Sequence, residues 1–319
     1  MYDLKAEHYL DLTHHQDNET LNKLIKGSIR RKNKLFPFEQ DANHFWKAEQ
    51  FLLNRSSLFK KLNEQQQYNI IHNCNEMLMN DFYFLEKCGL AYCARMLLLG
   101  ETTEIRQLYG LMASDEAMHL EWFTPFIQPS HRTLAPQGKL PPVLGKIMQD
   151  CDANTLYYLV QIIVEGWSFF TYRLLAESCQ SPLLKKILKN ILRDEALHHK
   201  AGPALFDVRK IDKTTGAFIY DKMLAYSEAL RTGPQMVIKS FEKELGDINL
   251  PDLEILFDEL ETELTSMMQL QLMKNLMTVP GMESYVERLK EDQVDVPYNP
   301  ATCAKIYVGS RNQESRGQS

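Results

Sequence analysis

The chain has 319 residues, 44% of them apolar and 24% charged, with a formal net charge of −6; that make-up suits a globular protein with room for one large helical domain or two small ones. The negative balance argues against broad nucleic-acid binding, and no uninterrupted apolar run approaches the roughly 18 residues of a membrane span. The opening Met-Tyr-Asp-Leu-Lys-Ala-Glu-His lacks the charged and apolar regions of a secretory leader, so a cytoplasmic location is expected. Cys74, Cys88, Cys93, Cys151, Cys179 and Cys303 show neither Cys-x-x-Cys spacing nor disulfide-like density and read as small apolar residues.

In chain order, helix signals dominate and alternating strand patterns are scarce. A basic run near the start (Lys23, Lys26, Arg30, Arg31, Lys32, Lys34) reads as a solvated helix face, with docking of an acidic electron donor or carrier protein as the alternative, and His14-His15 as a surface pair. The spacing predicts a helix from Asn63 as N-cap to Gly100, carrying Glu86. A second, capped by Thr102 or Thr103 and ending at Pro125, carries Glu116 and His119. The stretch with Pro125, Pro129, Pro136, Pro141 and Pro142 is too proline-rich for a helix and suits a long crossover. A third helix starts near Asp152 and carries Glu165; the fourth opens with Ser181 and Pro182, carries Glu195 and His198, and ends at Gly202-Pro203. Residues 215–245 and 252–278 read as two further long helices. The stripe Leu253, Leu256, Phe257, Leu260, Leu264 and Met267 in the second of them is expected to pack on the bundle or on a second subunit of a homodimer. The polar segment after Pro297 is expected to end in a disordered tail over 301–319, which leaves 1–300 as a single helical domain.

One pattern occurs twice: Glu86 with Asp115-Glu116-Ala-Met-His119, and Glu165 with Asp194-Glu195-Ala-Leu-His198, each lone glutamate thirty positions before its partner. Residues at i and i+3 share a helix face, so each Glu-x-x-His aims an oxygen and a nitrogen at one point. Thirty residues, at roughly 1.5 Å of rise each, is about what a helical hairpin needs to return to the same depth. A single Glu-x-x-His is usually a solvated surface pair, and a network of buried ion pairs is the bland alternative for two. Glu86 and Glu165, however, stand in apolar surroundings, where an unpaired charge is costly unless it coordinates a cation. Four carboxylates neutralise two divalent ions, and a ligand set this rich in oxygen suits Fe(II) or Mn(II) better than copper or zinc.

Over about residues 64–202 the chain resembles the ferritin-like di-iron carboxylate superfamily, its oxygenase and oxidase branches in particular. The resemblance implies an all-α, ferritin-like four-helix bundle over about 63–202, with a long crossover and flanking helices at about 215–278. It implies that Glu116 and Glu195 bridge two metals, that Glu86 and Glu165 are terminal ligands, and that His119 and His198 complete one ion each. It further implies that Asp115 and Asp194 each hold the far ring N–H of a histidine from the other hairpin. Phe45-Trp46-Lys47-Ala48-Glu49 resembles the start of ribonucleotide reductase small subunits, but Phe123 stands where their radical tyrosine is expected. Ile191 stands where p-aminobenzoate N-oxygenases carry an additional histidine. Acyl desaturases and aldehyde-deformylating oxygenases share the six ligands.

The function so implied is that of a non-haem oxidoreductase. Two iron ions cycling between Fe2+ and Fe3+, or a Mn/Fe pair, activate O2 to hydroxylate, desaturate, N-oxygenate or cleave a small, largely apolar substrate, free or carrier-bound. Tyr83, Leu90, Met112, Phe123, Ile162 and Phe169, one turn from the ligands, are the expected pocket lining, with Phe82 and Leu192 beside them. Neither a Gly-x-Gly-x-x-Gly fingerprint nor a Cys-x-x-Cys cluster occurs, so the electrons are expected from a ferredoxin, a reductase or the substrate itself. The other readings are a ferroxidase without organic substrate and a scaffold that a metal merely staples.

Overall fold

Local capping chemistry sets the helix boundaries. In the computed structural model, which describes residues 19–20, 23–24, 44–128 and 140–317, Ser57–Lys61 (α1) starts behind the Ser56 side chain, which accepts from the Phe59 amide. Glu64–Leu99 (α2) opens on a full capping box, in which Asn63 accepts from the Gln66 amide and Gln66 reaches back to the Asn63 amide. Thr102 caps Thr103–Phe123 (α3), and Ser181 caps Pro182–Leu205 (α7) with proline at its first position. The described residues are all helix, turn and coil, without a strand, and no helix among them is long and apolar enough to cross a membrane.

After Leu140–Asp150 (α4), the chain from Ala153 to Ser178 runs on through three registers: Ala153–Leu156 (α5), a π-helical stretch Tyr157–Val164, and Glu165–Ser178 (α6). The π stretch was not legible from apolar spacing, since it inserts a residue without changing composition. α2 packs along α3, and α6 along α7; α3 and α7 join the two pairs. Apolar side chains from these elements form two clusters. One holds Tyr92, Met96, Met112, Ile163 and Ala201, the other Phe82, Phe123, Tyr172, Leu188 and Ile191. Along each of these four helical segments the carboxylates and histidines of the repeated pattern fall between the two clusters, so a buried polar layer interrupts an otherwise apolar interior.

Several expectations need correction. The region 215–245 is two helices, Lys213–Arg231 (α8) and Gln235–Leu245 (α9), broken where Pro234 cannot supply an amide. Likewise 252–278 divides into Leu250–Glu259 (α10) and Thr262–Met277 (α11), around Glu261 at φ 50°. The break rotates the apolar stripe: Leu253, Leu256, Phe257 and Leu260 are buried, whereas Leu264 and Met267 are about half exposed. α7 does not stop at Gly202-Pro203 but carries Pro203 in its last turns. Pro141 and Pro142, placed in the crossover, sit in the first turn of α4, where their missing amides cost little. Pro129, Pro136, the histidines at 14 and 15, and the basic run beyond Lys23 lie outside the described residues.

The C-terminal segment is the largest change. After Glu283–Glu291 (α12), the expected tail 301–319 forms helix Pro300–Gly317 (α13) and packs on α10. Cys303, Ala304 and Tyr307 are buried, and Tyr307 Oη donates to Glu242 Oε2 at 2.7 Å, beside an Arg311–Glu242 ion pair. Cys303, Ala304 and Tyr307, spaced i, i+1 and i+4, share one face of the helix.

Candidate metal centre

The buried polar layer brings together all six residues of the repeated pattern. Glu86 comes from α2, Glu116 and His119 from α3, Glu165 from the first turn of α6, and Glu195 and His198 from α7. Two groups of four could each hold a metal ion: Glu86, Glu116, His119 and Glu195, and Glu116, Glu165, Glu195 and His198. Within each group one donor atom per residue lies within 4.8 Å of the others. The groups share Glu116 and Glu195.

The histidines define opposite ends of the layer, with ring centroids 6.2 Å apart. His119 turns Nδ1 inward, 2.9 Å from Glu86 Oε2, 3.5 Å from Glu195 Oε1 and 3.8 Å from Glu116 Oε2. His198 does the same, with Nδ1 3.0 Å from Glu116 Oε1 and 3.6 Å from Glu195 Oε2. Each Nε2 points outward to an aspartate of the other helical pair: His119 to Asp194 Oδ2 at 3.4 Å, His198 to Asp115 Oδ2 at 3.5 Å. An aspartate there selects the tautomer that leaves Nδ1 as a lone-pair donor.

Whether the layer suits cations can be read from its own atoms. Glu195 Oε2 and both ring nitrogens of His198 are buried without an aligned hydrogen bond, although Glu116 Oε1 lies 3.0 Å from Nδ1 and Asp115 Oδ2 3.5 Å from Nε2. Buried polar atoms are rarely left so. Burial raises the Glu116 carboxyl, against the pull of His198, to about 8. Burial and then the Glu195 carboxylate push Glu165 well above the usual range. Burial disfavours the imidazolium of His119 and of His198, but the carboxylates around them outweigh it and raise both. Burial pushes the Glu86 carboxyl up, but the His119 charge together with the hydrogen bonds from His119 and Tyr172 outweighs it and leaves the group lowered. Protons thus sit where cations would relieve the repulsion, and the donor set of four carboxylates and two imidazoles fits a pair of divalent ions.

A cleft with about 30 Å³ of open space reaches this layer. Glu86, Glu116, Glu165 and Glu195 line it, and neither histidine does. Its walls are Leu85, Cys88 and Gly89 of α2, Leu144 and Met148 of α4, Val160 and Val164 of the π stretch, and Ser168 and Tyr172 of α6. Tyr83, Leu90, Met112, Phe123, Ile162 and Phe169, expected to line the pocket, do not. Met112, Phe123 and Ile162 are buried in the apolar clusters instead. Along this segment the wall follows 160, 164, 168 and 172, so it takes Ser168, one turn after Glu165, and passes over Ile162 and Phe169.

Two residues at this site escaped sequence reasoning. Gly89 cradles Glu116: a Cβ there would stand 2.5 Å from Glu116 Oε2. Tyr172, 1% exposed, donates its hydroxyl to Glu86 Oε1 and packs on Phe82 and Phe123, with ring centroids 4.8 and 6.4 Å away. Its position seven after Glu165, on the same face two turns on, was the available signal. Cys93 is buried near Glu116 and His198, and burial, reinforced by the Glu116 charge, pushes its thiol up, so it stays protonated. No protein-family model matches the chain, and no curated protein shows significant similarity to it.

Proposed function

We propose that this chain is an O2-dependent dimetal oxidoreductase built on a ferritin-like four-helix bundle, holding two iron ions or a Mn/Fe pair. The observation that carries the reading is the overlap of two four-residue donor groups in exactly two carboxylates, Glu116 and Glu195. That is the arrangement a bridged metal pair needs. Glu86 and His119 would complete one ion, Glu165 and His198 the other. A bound pair would supply the two electrons with which O2 reduction begins.

The chain's own residues set the conditions for that chemistry. Asp194 bonds the outward nitrogen of His119 and Asp115 lies 3.5 Å from that of His198, an arrangement that leaves the inward nitrogens to the ions. Tyr172 keeps one oxygen of Glu86 occupied and so orients the other. The cleft opens on the carboxylate side, so a substrate would meet the ions between the four glutamates and away from the imidazoles. Leu85, Leu144, Met148, Val160 and Val164 present an apolar wall, with Ser168 and Cys88 as small polar points and no cationic side chain. This supports a small substrate with an aliphatic or aromatic body. The reading calls for outside electrons from a ferredoxin, a reductase or the substrate.

The test is to load the anaerobic protein with two equivalents of Fe(II), add O2, and follow absorbance by stopped flow with fatty acyl, amino-acid and arylamine compounds. A transient band whose rate of formation or decay one compound class changes supports an oxygenase and names its substrate class. Smooth oxidation indifferent to every compound moves the reading to a ferroxidase. Binding of fewer than two ions per chain, or retention of both in Glu116→Ala and Glu195→Ala, would sink the dimetal assignment.

A further inference from the structure

Gln161 lies in the π-helical stretch, four residues before Glu165, and is 1% exposed. Its carboxamide is bonded to each of the other three elements that carry the metal-centre residues. Nε2 donates to the His198 carbonyl of α7 at 2.9 Å and contacts Met112 Sδ of α3 at 3.5 Å. Oε1 accepts from the Tyr92 hydroxyl of α2 at 2.9 Å and from the Tyr109 hydroxyl of α3. A carbonyl can only accept, so the bond to His198 O settles which end of the amide is nitrogen. The backbone adds a second tie: the His199 ring nitrogen Nδ1 lies 3.3 Å from the Gln161 carbonyl oxygen. Gly202 permits the approach, since a Cβ there would stand 2.7 Å from Ile162 Cγ1 and 3.2 Å from the Gln161 carbonyl carbon.

The other half of the repeated pattern has no such device. The position four before Glu86 is Phe82, an apolar core residue, and Glu86 is held by Tyr172 instead. We propose that Gln161 is a positioning residue that sets the Glu165–His198 half of the centre independently of the Glu86–His119 half. It clamps the backbone of His198 to the turn that presents Glu165. The inference rests on the dimetal reading and adds to it an asymmetry between the two metal positions.

Anaerobic equilibrium dialysis with Co(II), counting ions per chain and their affinities, tests it on the full-length protein. Gln161→Leu removes all the side-chain bonds. Gln161→Glu keeps an acceptor for Tyr92 and Tyr109 but deletes the donor to His198 O, and it serves if the leucine variant fails to fold. In both variants one ion is expected to stay at wild-type affinity while the other weakens by about 10- to 100-fold. Combined with His198→Ala the substitution should add no further loss, and combined with His119→Ala it should weaken the remaining ion. Equal weakening of both ions, or of neither, would overturn the clamp and leave the dimetal reading standing. A wild-type protein that binds fewer than two ions would overturn both.

Discussion

Tyr172 of α6 donates its hydroxyl to Glu86 of α2, tying a helix of one packed pair to the carboxylate of the other. The phenol sits in a box of Phe82 and Phe123, and burial, followed by the Glu86 charge, pushes its pKa up, so it remains a donor at any working pH. Replacing it by phenylalanine leaves a buried carboxylate oxygen without that donor. Tyr172→Phe is expected to destabilise the metal-free protein by about 1–3 kcal/mol. It should also weaken the His119-side ion more than the His198-side ion. Denaturant unfolding and metal titration check the two effects, and unchanged values in both would remove Tyr172 from the centre.

The reciprocal pairs His119–Asp194 and His198–Asp115 predict a crossed pattern. Asp194→Asn should lower affinity for the ion at His119, which lies on the other helical pair, by about 10- to 100-fold, and Asp115→Asn should do the same at His198. Dialysis in histidine-to-alanine backgrounds reads which ion is lost. If each aspartate affected the histidine of its own Asp-Glu-x-x-His segment instead, the tertiary pairing would be wrong.

The protons held in this layer predict how pH acts. Glu116 titrates near 8 in the folded chain against about 4.3 unfolded, and His119 and His198 are also raised. Between about pH 5 and 8 the folded apo-protein therefore binds more protons than the unfolded chain, so its stability falls as pH rises. Glu86, lowered, contributes in the opposite sense: its stabilisation is present above the ordinary carboxylate range and lost as pH falls through its folded pKa. Metal must displace the protons of Glu116 and the histidines, so its affinity rises with pH. The metal-induced increase in Tm should be larger at pH 8 than at pH 6, with protons released on binding. A pH-independent increase would contradict the charge arrangement.

Helix α13 makes its own prediction. Deleting residues 300–319 removes the buried Cys303, Ala304 and Tyr307, uncovers the face of α10 on which they pack, and takes away two partners of Glu242. Loss of a buried tyrosine with its neighbours is expected to cost at least roughly 2 kcal/mol. Chemical denaturation checks this, and a truncated chain as stable as the full one would show α13 to be dispensable.

Covalent spacing along single helices is what the sequence determined by itself. Glu-x-x-His puts an oxygen and a nitrogen on one face whatever the rest of the chain does, and capping residues such as Asn63, Thr102 and Ser181 mark helix starts from local hydrogen bonds alone. The all-α class and the convergence of six donor residues were legible for that reason. The inward Nδ1, the Tyr172–Glu86 bond, the Gln161 contacts and the cleft wall were decided only by tertiary structure. Each depends on the rotation of one helix against another. A π-helical stretch that composition does not register shifts that rotation for the whole wall of α6.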